Sequence, residues 1–218
     1  MNENLLEFSE EHVAHHSDES AKSWTEQVRK GLDVYREYFN NPAFFEFVGS
    51  LKGKKVLDAG CGEGYNTKIM ATMGAKVIGV DISPRLIEMA RGEERREPLG
   101  IDYYVGSFTD LSTFEDASFD MVISTMALTA SPNFEEAISE FFRVLGWGGE
   151  LIISVEHPCF ITKGLGWIMG ETGEDSKLTV SHYFDESPQL QEWKFSYAPP
   201  GTKPFITPAF YWTLSLGC

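Results

Sequence analysis

At 218 residues, with 42% hydrophobic and 23% charged side chains, the chain can bury one sizeable core without a second domain. A net charge of −15 repels polyanions, which argues against a nucleic-acid partner and favours a small molecule. No apolar run nears the roughly 18 residues of a membrane span, the acidic start (Met1 to Glu11) is unlike a secretory signal, and Cys61, Cys159 and Cys218 form neither a disulfide framework nor a metal pattern, so a cytoplasmic protein is expected.

Three stretches divide what reads as one domain. In residues 1–50, Trp24, Val28, Leu32, Tyr35 and Phe39 fall at helical spacing and predict one helix that Pro42 ends, followed by an apolar turn around Phe44, Phe45, Phe47 and Val48. That helix can pack on the domain, cover a binding site, or do both. Residues 51–156 alternate strand and helix signals. Strands are expected at Lys55–Ala59, Lys76–Val80, Ile101–Val105, Met121–Ser124 and Glu150–Val155, several of them continuous apolar runs of the kind buried on both faces of a parallel sheet. Ser83-Pro84 reads as an N-cap with proline in the first turn. Asn133 with Glu136 reads as a capping box, ahead of a helix whose Phe134, Ile138, Phe141, Phe142 and Leu145 share a face. The expected architecture is α/β, a doubly wound, mostly parallel sheet. Residues 157–218 are rich in aromatics, glycine and proline, show no sustained period, and are expected to form an irregular cap.

The chemistry concentrates in Val56-Leu57-Asp58-Ala59-Gly60-Cys61-Gly62-Glu63-Gly64, where an apolar strand runs through alternating glycines into a helix. Glycine lets the chain reverse tightly and lets backbone approach a ligand, and the following helix N-terminus offers free N–H groups to an anion. A dinucleotide fingerprint would place its third glycine at position 65, which is Tyr65, and this argues against a nicotinamide oxidoreductase. Twenty-one residues after Gly60, the strand Val77-Ile78-Gly79-Val80 ends in Asp81, a carboxylate able to accept both hydroxyls of a ribose.

This glycine spacing, with Asp58 before it and Asp81 after it, resembles the class I S-adenosylmethionine-dependent methyltransferases, whose fold is Rossmann-like. The resemblance runs from about Lys54 to Val155 and includes Phe119-Asp120 at the fourth strand and the Gly146-Trp147-Gly148-Gly149 turn. It implies that Asp58, Gly60, Gly62 and Gly64 form the cofactor loop, that Asp81 holds the ribose of S-adenosylmethionine, and that Ile82 touches adenine. Ser107, standing where relatives carry aspartate, would accept the adenine amino group as a neutral partner, with the Phe108 N–H near the ring and Ser124 beneath the methionine part. His157, after the fifth strand, is either a general base or a cap of that strand end, and His182 and Tyr183 rank behind it. The expected activity is methyl transfer to a small-molecule acceptor, and the alternative is a non-catalytic S-adenosylmethionine-binding module that regulates or stabilises a partner. Few residues follow Val155, and Tyr211 to Leu216 resembles the start of the helix that precedes the last family strands, so the end of the family sheet is expected to be missing and the exposed edge covered by the cap or by a second copy in a homodimer.

Overall fold

The computed structural model describes residues 8–173 and 176–212. Helix α1 (Glu10–Arg29) starts where the Ser9 hydroxyl accepts from the His12 N–H, with Glu10 and Glu11 in the first turn and Arg29 in the last, the charge order a helix dipole favours. The expected single helix to Pro42 is corrected here. Gly31, at φ 71°, breaks it after Arg29, so Trp24 and Val28 belong to α1 whereas Tyr35 and Phe39 lie beyond the break and are exposed. A π-helical turn (Arg36–Asn40) then leads into α2 (Asn41–Val48), with Pro42 inside its first turn, the place where a missing N–H costs nothing. Phe44 and Val48 are buried, and Phe47 is exposed.

Four strands follow the expected sites closely, β1 (Lys55–Ala59), β2 (Lys76–Asp81), β3 (Asp102–Val105) and β4 (Phe119–Thr125), whereas β5 (Leu145–Ser154) begins five residues before the expected Glu150 and takes in Leu145, a residue expected on the preceding helix. They pair in the order β3-β2-β1-β4-β5, every pairing parallel. Helices α3 (Tyr65–Thr72), α4 (Pro84–Arg96) and α5 (Phe134–Val144) make the crossovers. Successive strand residues serve opposite faces, which is why the apolar runs are unbroken. Val56, Met121 and Ile123 join Met70, Ile87 and Leu51 on one side. Leu57, Ala59 and Val122 join Phe141, Val144 and Leu111 on the other. The glycine turn Gly146–Gly149 bulges within β5, where the register with β4 shifts, because a Cβ on Gly149 would lie 2.9 Å from the Gly146 carbonyl and 3.1 Å from that of Asp120.

Two local expectations on α5 fail. Asn133 makes no side-chain cap bond, so the capping box is absent. Phe142 is 81% exposed. It sits about 80° round the helix from Phe134 at 100° per residue, and Ala137 and Val144 fill the buried face instead. The Ser83 N-cap is present, its hydroxyl accepting from the Leu86 N–H.

Beyond β5 lie two small antiparallel pairs, β6 (Gly166–Ile168) with β7 (Lys177–Thr179) and β8 (Gln189–Trp193) with β9 (Phe205–Ala209). The second pair packs on α1 through Trp24, whose ring centroid lies 5.2 Å from Trp193, 5.3 Å from Phe195 and 5.4 Å from Phe205. Among the described residues no strand extends the main sheet beyond β5; the expected helix start at Tyr211–Leu216 lies, from residue 213 onward, outside them. Among the same residues no helix is long and apolar enough to cross a membrane.

Candidate cofactor site

Open parallel sheets bind ligands at the carboxyl ends of their strands, where the strand order reverses, here between β1 and β4. A cavity of about 1240 Å³ opens at that edge. Its floor is made by the residues that follow each strand: Gly60 and Gly62 after β1, Asp81 and Ile82 at β2, Ser107 and Phe108 after β3, Thr125 and Met126 at β4, and Val155 and Glu156 after β5. Its walls come from α1 and the cap.

The three loop glycines all have positive φ, at 81°, 56° and 84° for Gly60, Gly62 and Gly64. Gly60 and Gly64 are also closely packed, since a Cβ would lie 2.3 Å from the Ala127 Cβ or 2.5 Å from the Tyr103 hydroxyl. A Cβ on Gly62 meets nothing within 4 Å; Gly62 therefore supplies open cavity rather than tight packing. Gly64 is the N-cap of α3 and, lacking a side chain, leaves the helix N-terminus without a side-chain cap.

Asp81 ties the two halves of the floor together. One carboxylate oxygen accepts the Gly62 N–H at 2.8 Å and the other accepts the Ser83 N–H at 2.9 Å. Each oxygen keeps a second lone pair for a ligand donor. Burial raises the Asp81 carboxyl above its ordinary range, against the pull of those two N–H bonds. Glu63 is raised as well, chiefly by burial, although Arg36 and Arg29 oppose it.

Six of the sequence-derived residues meet at this cavity: Gly60, Gly62, Asp81, Ile82, Ser107 and Phe108. Four others do not line it. Asp58 points from β1 to α3, where it accepts the Thr67 hydroxyl at 2.6 Å, and it is fully buried. Gly64 packs against Tyr103. Ser124 donates to the Ala59 carbonyl at 2.9 Å, joining β4 to β1. His157 turns its Nδ1 to the Cys159 N–H and caps the short 3₁₀ turn Pro158–Phe160 rather than the end of β5, and the cavity wall is formed by its neighbour Glu156. His182 and Tyr183 are likewise absent from the lining.

Several lining residues carry no signal in the sequence. Arg36, from the π-helical turn, lies 4.2 Å over the Tyr65 ring, and its Nε and Nη2 have no hydrogen-bond partner. Met126 has φ 56°, a conformation costly for a side-chain-bearing residue, held by its N–H on the Ser154 carbonyl at 2.7 Å. Asn66 donates to the Thr125 hydroxyl at 3.1 Å and links α3 to β4. Only the tertiary fold brings these groups to one edge.

The donor set suits S-adenosylmethionine on its own terms. A paired acid at the β2 tip can accept ribose hydroxyls, the Arg36 guanidinium, ion-paired at 3.7–4.0 Å with Asp33, Glu37 and Glu63 but with N–H groups that make no hydrogen bond, can take an amino-acid carboxylate beside an uncapped helix start, and buried acids accommodate a sulfonium. Among the described residues no cluster of His, Cys, Asp and Glu could hold a metal ion.

Comparison with known proteins agrees. A methyltransferase domain model matches residues 57–153. A ubiquinone biosynthesis O-methyltransferase of Xanthomonas oryzae pv. oryzae is 35% identical over 52% of the chain and 49% of its own length, so the chain spans about half of that relative. The crystal structure of an S-adenosylmethionine-dependent methyltransferase from Mesorhizobium loti, 23% identical, superposes with a TM-score of 0.62 over 79% of this chain and 74% of that one, a likeness of fold. A Listeria monocytogenes protein described as a candidate S-adenosylmethionine-dependent methyltransferase is 27% identical, with a TM-score of 0.57 over 77% of this chain and 74% of its own. Residues 57–153 thus match a methyltransferase domain, and the chain shares the Rossmann-like fold of S-adenosylmethionine-dependent methyltransferases, which implies S-adenosylmethionine as the cofactor.

Proposed function

We propose that the protein moves the methyl group of S-adenosylmethionine to a small acceptor with an aromatic or otherwise apolar face. The observation that carries this reading is the single cavity in which the glycine loop and Asp81 share space with Tyr35, Phe39, Trp193 and Phe195. At about 1240 Å³ it exceeds the ~300–1,000 Å³ of a one-ligand pocket, leaving room for an acceptor beside the cofactor. The net charge of −15 speaks against a polyanionic acceptor. Similarity to a ubiquinone biosynthesis O-methyltransferase supports an oxygen nucleophile.

The sulfonium of the bound cofactor makes its methyl group electrophilic. What the protein must add is alignment and exclusion of water. In this reading Asp81 holds the ribose, the Gly60–Gly62 backbone allows close approach, Arg36 and the start of α3 hold the amino-acid carboxylate, and Ile82 and Phe108 flank the base. Glu156 is the carboxylate on the acceptor side. Desolvation raises it, which suits a group that takes a proton from an acceptor hydroxyl. His157 serves as its structural neighbour.

Calorimetry with S-adenosylhomocysteine and with NAD tests the cofactor half. Micromolar binding of the first and none of the second is expected, and preference for NAD overturns the proposal. A product assay across phenols, amines and carboxylates tests the acceptor half. Cofactor binding without methylation of any acceptor would favour the non-catalytic module instead.

A further inference from the structure

Resting on the cofactor reading above, we infer that Glu10 of α1 supplies the carboxylate that recognises the adenine 6-amino group, as a stronger acceptor than the neutral Ser107 hydroxyl beside it. Adenine presents two N–H donors on that amino group, and an ionised acceptor binds them about twice as strongly as a neutral one. Ser107 has one lone pair left to offer. Its hydroxyl donates to Glu10 Oε1 at 2.9 Å, and the same oxygen atom accepts the Thr109 N–H at 3.1 Å.

Glu10 is placed differently. Its Oε1 receives both the Ser107 and the Thr109 hydroxyls, the latter at 2.6 Å, which fixes the carboxylate against the loop after β3. Among the described residues no cation pairs with it, and both of its side-chain hydrogen bonds fall on Oε1. The side chain lines the cavity together with Asp81, Ile82, Ser107 and Phe108. With the ribose on Asp81 at the tip of β2, the base extends toward the next strand, β3, and so toward this carboxylate. The acid lost from the strand loop has in effect been replaced from the helix that covers it. Selectivity follows from the same atoms. A 6-oxo purine would set a carbonyl lone pair against the carboxylate, and Glu10 therefore discriminates adenine from hypoxanthine.

The test is calorimetric titration of the wild type, Glu10→Ala, Glu10→Gln and Ser107→Ala with S-adenosylhomocysteine and with S-inosylhomocysteine, its 6-oxo counterpart. The wild type should prefer the adenine compound by at least about 10-fold. Glu10→Ala should lose about 10-fold in affinity for S-adenosylhomocysteine and most of the preference, whereas Ser107→Ala keeps the preference within about 3-fold. Glu10→Gln, whose amide can donate to a 6-oxo group, should bind S-inosylhomocysteine better than the wild type does. An unchanged preference in Glu10→Ala, with an unchanged melting temperature, overturns the assignment while the cofactor site stands. A wild type that binds neither compound overturns the cofactor reading and this assignment with it.

Discussion

Replacing Asp58 with Asn isolates the electrostatic cost of burying an acid between β1 and α3. Asp58 is wholly buried, accepts one hydrogen bond from Thr67, and leaves Oδ1 without a partner. Desolvation raises its carboxyl from 3.8 to about 7, with Thr67 pulling the other way and Asp81 adding to the rise. A raised acid binds its proton more tightly when folded. Its contribution to stability is therefore fully present below pH 3.8 and is lost as pH climbs to about 7. At ~1.4 kcal/mol per unit, the interval amounts to ~4 kcal/mol. Asn cannot ionise and keeps an acceptor for Thr67. The two proteins should thus be similarly stable near pH 4, and Asp58→Asn should exceed the wild type by up to ~4 kcal/mol at pH 8. Urea unfolding followed by tryptophan fluorescence at pH 4.5, 6 and 8, with equal slopes in both proteins, measures this directly. A stability difference that stays constant across that range would refute the claim that burial, rather than a stabilising partner, governs this carboxylate.

The glycine loop separates packing from ligand space. Gly60→Ala combines left-handed strain with a 2.3 Å contact on Ala127 and should cost roughly 3 kcal/mol, lowering the melting temperature. Gly62→Ala meets no protein atom within 4 Å and should cost only ~1–2 kcal/mol of backbone strain, yet its methyl group enters the cavity and should weaken S-adenosylhomocysteine about 10-fold or more; equal affinity would place the ligand elsewhere. Trp24→Ala removes the ring that joins α1 to Trp193, Phe195 and Phe205. It should cost roughly 3 kcal/mol and increase hydrogen exchange in the β8–β9 pair more than in β1 and β2; uniform exchange would show that the cluster does not anchor the cap.

The sheet was legible because its signals are local and repeated. The central strands are apolar runs, two of them ended by Gly60 and Asp81, and parallel burial leaves little ambiguity. The glycine loop was legible for the same reason, since its spacing and its positive φ angles answer one steric demand. The failures share another cause. Tyr35 and Phe39 matched the stripe of α1 by periodicity, but one left-handed glycine changed the helix axis between them and Trp24. Ser124 and Asp58 lie in the motif yet point between elements, because a strand turns alternate side chains away from its ligand edge. Glu10 meets Ser107 across 97 residues of chain and Arg36 meets Tyr65 across 29, and no pattern in their own neighbourhood encodes where that reach ends.

The walls of the cavity are not held equally. The floor is backbone of a five-stranded sheet, pinned by Asp81 between Gly62 and Ser83. The C-terminal half of α1 is fixed by the aromatic cluster at Trp24 and by Arg29, whose guanidinium pairs with Glu93 at 2.5 Å and approaches Glu63 at 3.6 Å. Its N-terminal half depends on weaker contacts: the Glu10 carboxylate on two hydroxyls, Asp18 on Ser83 and on the Arg85 N–H, the Val13 side chain, and the edge contact of Phe8 with Phe210. Hydroxyl–carboxylate bonds exchange for water at a net cost of about 1.5–3 kcal/mol each, whereas lifting a Trp24-sized ring from its cluster forfeits about 3–5 kcal/mol and the Arg29 ion pairs would have to part with it. Opening at the Glu10 end is therefore the least costly way to admit a ligand to a cavity this deep. It also means that whatever restores the Glu10 contacts, a bound adenine included, closes the site by the same amount that it is held.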